Sequence, residues 1–237
     1  YEGGQKDNAI TREATCEILV AGEDVEAVKA CAAKAEKGIR EEYAGTDSNI
    51  TVQITEEGYA ETDVLHPTSR EKVLFYLVQI PFGIQKMSGN IEGLVETSTN
   101  IGIVKLSDDE FFASSSVRSS VEAARDALSD KIQYLTEFLG GEFEIQGAYP
   151  AWEYRKDSPL RDKMVSVYEE MYGQKPEVVA IHAGLECGLF YKKIEGLDCV
   201  SLGPDMKDIH TSEEVLDIAS TERVWNYLVK VLEQLKD

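Results

Sequence analysis

Residues 93–119 read GLVETSTNIGIVKLSDDEFFASSSVRS. Two stretches of strand-forming residues flank Ser107-Asp108-Asp109, three polar residues that favour a reversal of the chain. The pattern predicts a β-hairpin, and therefore an antiparallel sheet. On its carboxyl side, Val121, Ala124, Leu128, Ile132, Leu135 and Leu139 recur at spacings of three and four. That is the stripe of an amphipathic helix, which Gly140 and Gly141 close as C-terminal glycines do. EFEIQGAY (142–149) reads as a strand after it. On the amino side, Thr68 and Glu71 have capping-box spacing ahead of VLFYLVQI (73–80), and Pro81 and Gly83 end that helix.

Further out, Ala14, Cys16, Ile18 and Val20 share one face of a strand, because side chains alternate with period two. Val25, Val28, Ala32, Ala35, Ile39 and Tyr43 form a helical stripe. Ile50, Val52 and Ile54 alternate with Thr51, Gln53 and Thr55, as in a strand with one dry and one wet face. Residues 1–152 thus read as an α+β domain, an antiparallel sheet covered by helices on one face.

Residues 153–237 change style. Ser158-Pro159 opens a helix running towards Tyr172, with proline where a first turn tolerates it. EVVAIH (177–182) and LDCVSL (197–202) are short, nearly continuous apolar strands of the kind buried on both faces. GLECGLFYK (184–192) starts a helix between them, and a final helix carries the stripe Trp225, Leu228, Leu232, Leu235. This is part of an α/β domain. Two strands are too few for a sheet of that type, so this half needs partners from residues outside the chain.

Composition narrows the function. The chain has 237 residues, 24 basic against 44 acidic, for a net charge of -20. Phosphate backbones demand clustered Lys and Arg, so nucleic acid is not an expected partner. No apolar run approaches the roughly 18–20 residues of a membrane span. The chain begins at Tyr1 with no basic-then-apolar leader, and reads as cut from something longer. Cys16, Cys31, Cys187 and Cys199 form no C-x-x-C pair and are expected as buried free thiols in a reducing compartment.

Four places could carry chemistry. IHAGLECGLF (181–190) puts His182, Glu186 and Cys187 within six positions. It could be a Cys–His pair, with the thiolate favoured in a helix's first turn. It could also be a ligand-contacting turn at the carboxyl end of a buried strand, or only a packed strand–turn–helix. His210, in the polar loop GPDMKDIHTSEE (203–214), has a common metal-ligand placement beyond a strand, with carboxylates near to orient its ring. Arg118 ends a hairpin strand just before a helix start, where the dipole disfavours cations. An arginine kept there suits a carboxylate ligand. Asn100 sits within a strand, where asparagine is disfavoured, and faces either water or a site.

The segments GGQKDNAITREA (3–14), GLVETSTNIGIV (93–104), GAYPAW (147–152), IHAGLECGLF and VSLGPDMKDIH (200–210) resemble, in order, those of bacterial aminoacyl-histidine dipeptidases. These Xaa-His or cytosolic nonspecific dipeptidases are dinuclear zinc exopeptidases. The resemblance runs along essentially the whole chain. It implies a catalytic α/β domain, an inserted lid, two zinc ions per active site, metal-activated water as the nucleophile, and a cytoplasmic location. It matches His210 to the family's last metal ligand, although the flanks differ. It matches Arg118 to a lid arginine that grips the dipeptide's carboxylate, and Asn100 to the neighbouring lid strand. It sets His182, Gly184 and Glu186 in a turn lining the substrate side of the cleft, with Cys187 as a small packing residue.

The resemblance also implies what the chain lacks. The family's His-x-Asp motif occurs nowhere in it. That motif, the bridging Asp and the Glu-Glu pair belong to the amino-terminal half of the catalytic domain. The expectation is a carboxyl-terminal half: a lid truncated at its start (1–152) and the closing segment of a catalytic domain (153–237). No catalytic residue is expected in this chain, and alone it should be inactive. Its partners would be a dipeptide substrate, the missing half and, possible from exposed sheet edges, a second copy. The alternative is a non-catalytic binding or dimerisation module.

Overall fold

The structure, a computed structural model, describes residues 1–180, 186–209 and 213–236. Its centre is the hairpin. Strand β4 (Val95–Leu106) pairs antiparallel with β5 (Phe111–Ser119) along its length, from Thr97↔Ser119 to Leu106↔Phe111. The turn is tied where Ser107 N–H donates to the Glu110 carbonyl at 2.9 Å. The other edge of β4 is shared. Strand β3 (Gly83–Met87) pairs with its first half and β1 (Glu2–Gly3) with its second, and β2 (Ala14–Thr15) adds outside β1.

Helices α2 (Pro67–Gln79) and α3 (Glu122–Phe138) cover one face of this sheet. Tyr76, Ile80 and Ile132 are buried there against Ile101, Phe111, Ala113 and Val117. Tyr76 meets Phe111 edge-on, with ring centroids 5.7 Å apart. The odd-numbered residues of β5 thus face the core, as period-two alternation requires. Helix α3 ends where the sequence puts it, ahead of Gly140 at φ 84°, and begins just after Val121, which is its extended cap rather than part of its stripe. Helix α2 begins two residues earlier than its capping-box spacing suggests: His66 is the cap, its Nδ1 accepting from Thr68 N–H at 3.3 Å, with Pro67 in the first turn.

One register shift matters. Between Ile101↔Ser115 and Ile103↔Ser114, Gly102 is the extra residue of a β-bulge. The segment Gly4–Thr11 lies across β4 at that point. Thr11 Oγ1 donates to the Ile101 carbonyl at 2.9 Å, and Asn100 Nδ2 donates to the Ala9 carbonyl at 2.9 Å. A Cβ on Gly102 would overlap the carbonyl of Asp7, and one on Gly4, at φ 73°, would overlap the carbonyl of Gly102. Two glycines are therefore required for backbone to approach backbone.

The second layer has its own core. Helices α4 (Pro159–Tyr172) and α6 (Ile218–Gln234) pack through Met164, Val167, Tyr227 and Val231. Tyr227 O–H donates to the Met164 carbonyl at 2.7 Å, so the buried hydroxyl is satisfied. Burying Val167 completely contributes about 1.5–3 kcal/mol. Ser158 caps α4 by accepting from Arg161 N–H at 3.1 Å, and Gly173, at φ 71°, ends it. Helices α1 (Val25–Glu42) and α5 (Glu186–Lys193) complete the helical set among the described residues.

Several expectations are corrected. Beyond Ala14–Thr15, the segments 16–20 and 50–55 form no strand, nor do 142–149, the described part of 177–182, or 197–202. A strand needs a neighbour for its ladder, and among the described residues these segments have none. Ile18, Leu19, Ile54, Val178 and Val179 are accordingly exposed. The α6 stripe is also displaced. Tyr227 and Val231 face α4, while Trp225, at 65% exposure, and Leu232, at 55%, face outward, because α6 is apolar on two sides and α4 covers only one. Cys16 and Cys31 are exposed rather than buried, since the segments carrying them are uncovered, and Cys187 and Cys199 are half-buried. The polar loop after Gly203-Pro204 contains a short ladder, β6 (Met206–Lys207) on β7 (Val215–Leu216), that composition did not reveal.

Gly102→Ala is expected to destabilise the sheet by about 1–3 kcal/mol, the range for forcing extra atoms into filled space. Urea unfolding measures it, and an unchanged midpoint would contradict the bulge contact.

Candidate functional site

The open face of the hairpin collects the polar residues. Ser98 pairs with Arg118 and Asn100 with Ser116, so these four share the face opposite the helices. Asn100 and Arg118 are diagonal neighbours across two strands, within reach of long side chains. The Arg118 side chain is exposed and makes no hydrogen bond or ion pair with another described residue. Its five donors are therefore available to a planar anion. Asn100 differs: its amide N–H₂ is committed to the backbone of the Gly4–Thr11 segment. The sheet thus brings two of the sequence-predicted residues together, one free to bind and one holding the loop beside it.

Glu186 is exposed at the start of α5. That helix is held close by Gly188, where a Cβ would come within 2.8 Å of the Pro150 carbonyl. At its far end Lys192 Nζ meets Glu122 Oε1 at 2.9 Å, linking α5 to the first turn of α3. The hydrogen bond from Lys192, with Arg125 adding to it, holds the Glu122 carboxyl below the usual carboxylate range. Neither a hydrogen bond nor an ion pair joins Glu186 to Asn100 or Arg118. His182, Gly184 and His210 lie outside the described residues.

The sequence reading missed a polar clamp at the head of α4. Asp198 accepts from the Ser158 hydroxyl at 2.7 Å and from Leu160 N–H at 3.0 Å. Burial opposes ionisation of Asp198, but those two donors and the charges of Arg155 and Arg161 outweigh it and hold its carboxyl low. Ser158 was legible as a cap. Its partner, 40 residues away, carries no local signal. The clamp fixes residues 197–200 beside an open cavity of about 790 Å³ among α4, α6 and segments 176–180 and 197–203. Met164, Tyr168, Val178, Cys199, Val200 and Tyr227 are in its wall. Asn100, Arg118 and Glu186 are not. It is a gap between helices and unpaired segments, not the place where the polar residues converge.

A metal needs three or four converging donors. Among the described residues no three His, Cys, Asp or Glu converge in this way, and the only histidine is His66, spent on a helix cap. The described residues do not by themselves form a metal centre.

The chain is a member of peptidase family M20/M25/M40, whose family model matches residues 13–234. Over 235 residues it is 30% identical to the cytosol non-specific dipeptidase of Escherichia coli (strain K12), covering 99% of this chain and 48% of that protein. It superposes on the aminoacylhistidine dipeptidase of Vibrio alginolyticus with a TM-score of 0.90 at 30% identity, covering 98% of this chain and 47% of the other. The aminopeptidase PepT of Bacillus cereus shares the fold, with a TM-score of 0.56, 15% identity and coverage of 71% and 46%. The chain spans about half the length of the dipeptidases it matches. No helix among the described residues is long and apolar enough to cross a membrane.

Asp198 gives a pH prediction. A carboxyl held low in the fold stabilises it above the unfolded value of about 3.9. That contribution is lost as pH falls through the lower folded value. The stability deficit of Asp198→Asn relative to the parent chain is therefore expected to be largest near neutral pH and to shrink below about pH 4. A deficit independent of pH in chemical unfolding would contradict the clamp.

Proposed function

We propose that the chain is the carboxyl-terminal half of a zinc-dependent, cytoplasmic dipeptidase that cleaves Xaa-His and other dipeptides. Residues 1–152 are its lid and 153–237 the closing segment of its catalytic domain. The observation that carries this reading is the match along nearly the whole chain to two dipeptidases, each twice its length. Arg118 supports it independently. A dipeptide ends in a free carboxylate, and a guanidinium fork with no partner among the described residues, on an open sheet face, is suited to hold it.

In this reading the chain's share of the work is binding. Arg118 takes the substrate carboxylate by two parallel hydrogen bonds. Asn100 keeps the Gly4–Thr11 segment against β4 beside it. His182, Gly184 and Glu186 belong to the turn that lines the substrate side of the cleft, and His210 is the chain's one contribution to the zinc site. The general base and remaining ligands lie in the other half, since the sequence has no His-x-Asp.

With zinc supplied, the chain alone is expected to leave β-alanyl-histidine uncleaved. Robust turnover would overturn the assignment of the base and ligands to the other half. In protein containing both halves, Arg118→Ala is expected to raise KM for a dipeptide about tenfold to a hundredfold, the loss of a charge-assisted hydrogen-bonded pair. Arg118→Lys should recover part of it. An unchanged KM would remove Arg118 from the substrate.

A further inference from the structure

We infer that Cys187 and Cys199 form a thiol–disulfide site, closed by exchange with a low-molecular-weight disulfide and opened by thiols. This does not depend on the dipeptidase reading. The observation is a juxtaposition. Cys187 is the second described residue of α5, and Cys199 lies in the extended segment that follows that helix. The Cys199 thiol donates to the Cys187 carbonyl at 4.0 Å, which sets the two residues side by side across the connection between α5 and segment 197–200. Both residues are half-buried, so a small reagent can reach the pair.

The two sulfurs are also held where they are. Asp198, next to Cys199, is fixed by the Ser158 hydroxyl and the Leu160 amide. Gly188, next to Cys187, is seated against the Pro150 carbonyl. Arg155 Nη1 donates to the Gly196 and Leu197 carbonyls at 2.9 and 3.2 Å, tying down the connection between them. With both backbones held by their neighbours and the Cys199 thiol within 4.0 Å of the Cys187 carbonyl, the bridge asks for a side-chain rotation rather than a large backbone movement.

Exchange supplies the chemistry. The Cys187 thiolate attacks one sulfur of a glutathione-type disulfide, forming a mixed disulfide and releasing one thiolate, which takes up a proton. The Cys199 thiolate then attacks the Cys187 sulfur, forming the protein disulfide and releasing the second thiolate, also protonated. Two protein thiols lose two electrons in all, and the reagent's S–S bond becomes two S–H groups. Burial, then the neighbouring Cys187, pushes the Cys199 thiol up, so Cys199 is the poorer attacker and acts second. The second step is intramolecular and outruns capping by another reagent molecule. A bridge of this kind in a reducing compartment is a reversible, redox-sensing one. It would pin the first turn of α5, where Glu186 sits, to segment 197–200.

The test is non-reducing peptide mapping of the intact chain after incubation with millimolar oxidised glutathione. Lys192 and Lys193 lie between the two cysteines, so trypsin places them on separate peptides joined only by the bridge. The expected result is a Cys187–Cys199 cross-link in excess of the doubly capped form, while the exposed Cys16 and Cys31 carry glutathione caps. In Cys199→Ser the cross-link should vanish and Cys187 should retain its cap. In Cys16→Ser/Cys31→Ser the cross-link should form as before. Separate caps on Cys187 and Cys199, two free thiols beside capped Cys16 and Cys31, or bridges to Cys16 or Cys31 in equal amount would each overturn the inference.

Discussion

Strand β4 is paired along both edges, and the amino-terminal part of the molecule depends on that. One edge takes β5 and brings Asn100 and Arg118 onto a common face. The other takes β3 and then β1, so residues about a hundred positions apart in sequence become neighbours. The bulge at Gly102 is what admits the Gly4–Thr11 segment across the strand. A strand without that kink, or with any side chain there, could not hold the loop against its backbone.

The second layer is built on a different principle. Its helices α4 and α6 bury a dry seam, but the extended segments beside them have no ladder among the described residues. The residue types in EVVAIH and LDCVSL are those of central strands, covered on both faces. Here Val178 and Val179 are exposed, α6 shows a second apolar face, and a cavity of about 790 Å³ opens between helices and segments. Each of these is accounted for if the sheet of this layer is completed by chain that the dipeptidases possess and this sequence does not.

The legible parts of the fold were those set by local pattern. The hairpin, α3 with its closing glycines, and α4 with its Ser158 cap follow from periodicity and capping alone. The segments expected as strands at 16–20, 50–55, 142–149 and 197–202 had strand-like residue types but no ladder partner among the described residues, and pairing is a non-local fact. The α6 stripe failed for the same reason: Trp225 and Tyr227 are equally apolar candidates, and only the position of α4 decides which is buried. Arg118 and Asn100 stood out through residue types at odds with their local structure, and the pairing of β4 with β5 sets them on one face. Asp198 did not, because its meaning depends on Ser158 and Leu160 across 40 residues.

The account rests on one finished sheet beside one unfinished layer, and amide hydrogen exchange on the chain alone tests it most directly. Interior amides of β4 should exchange slowly, at rates governed by opening of the sheet. Amides of 177–180 and 198–202, which donate to no described backbone carbonyl, should exchange at close to unprotected rates. Protection of those two segments equal to that of β4 would mean that their ladders are already satisfied, and would contradict the account.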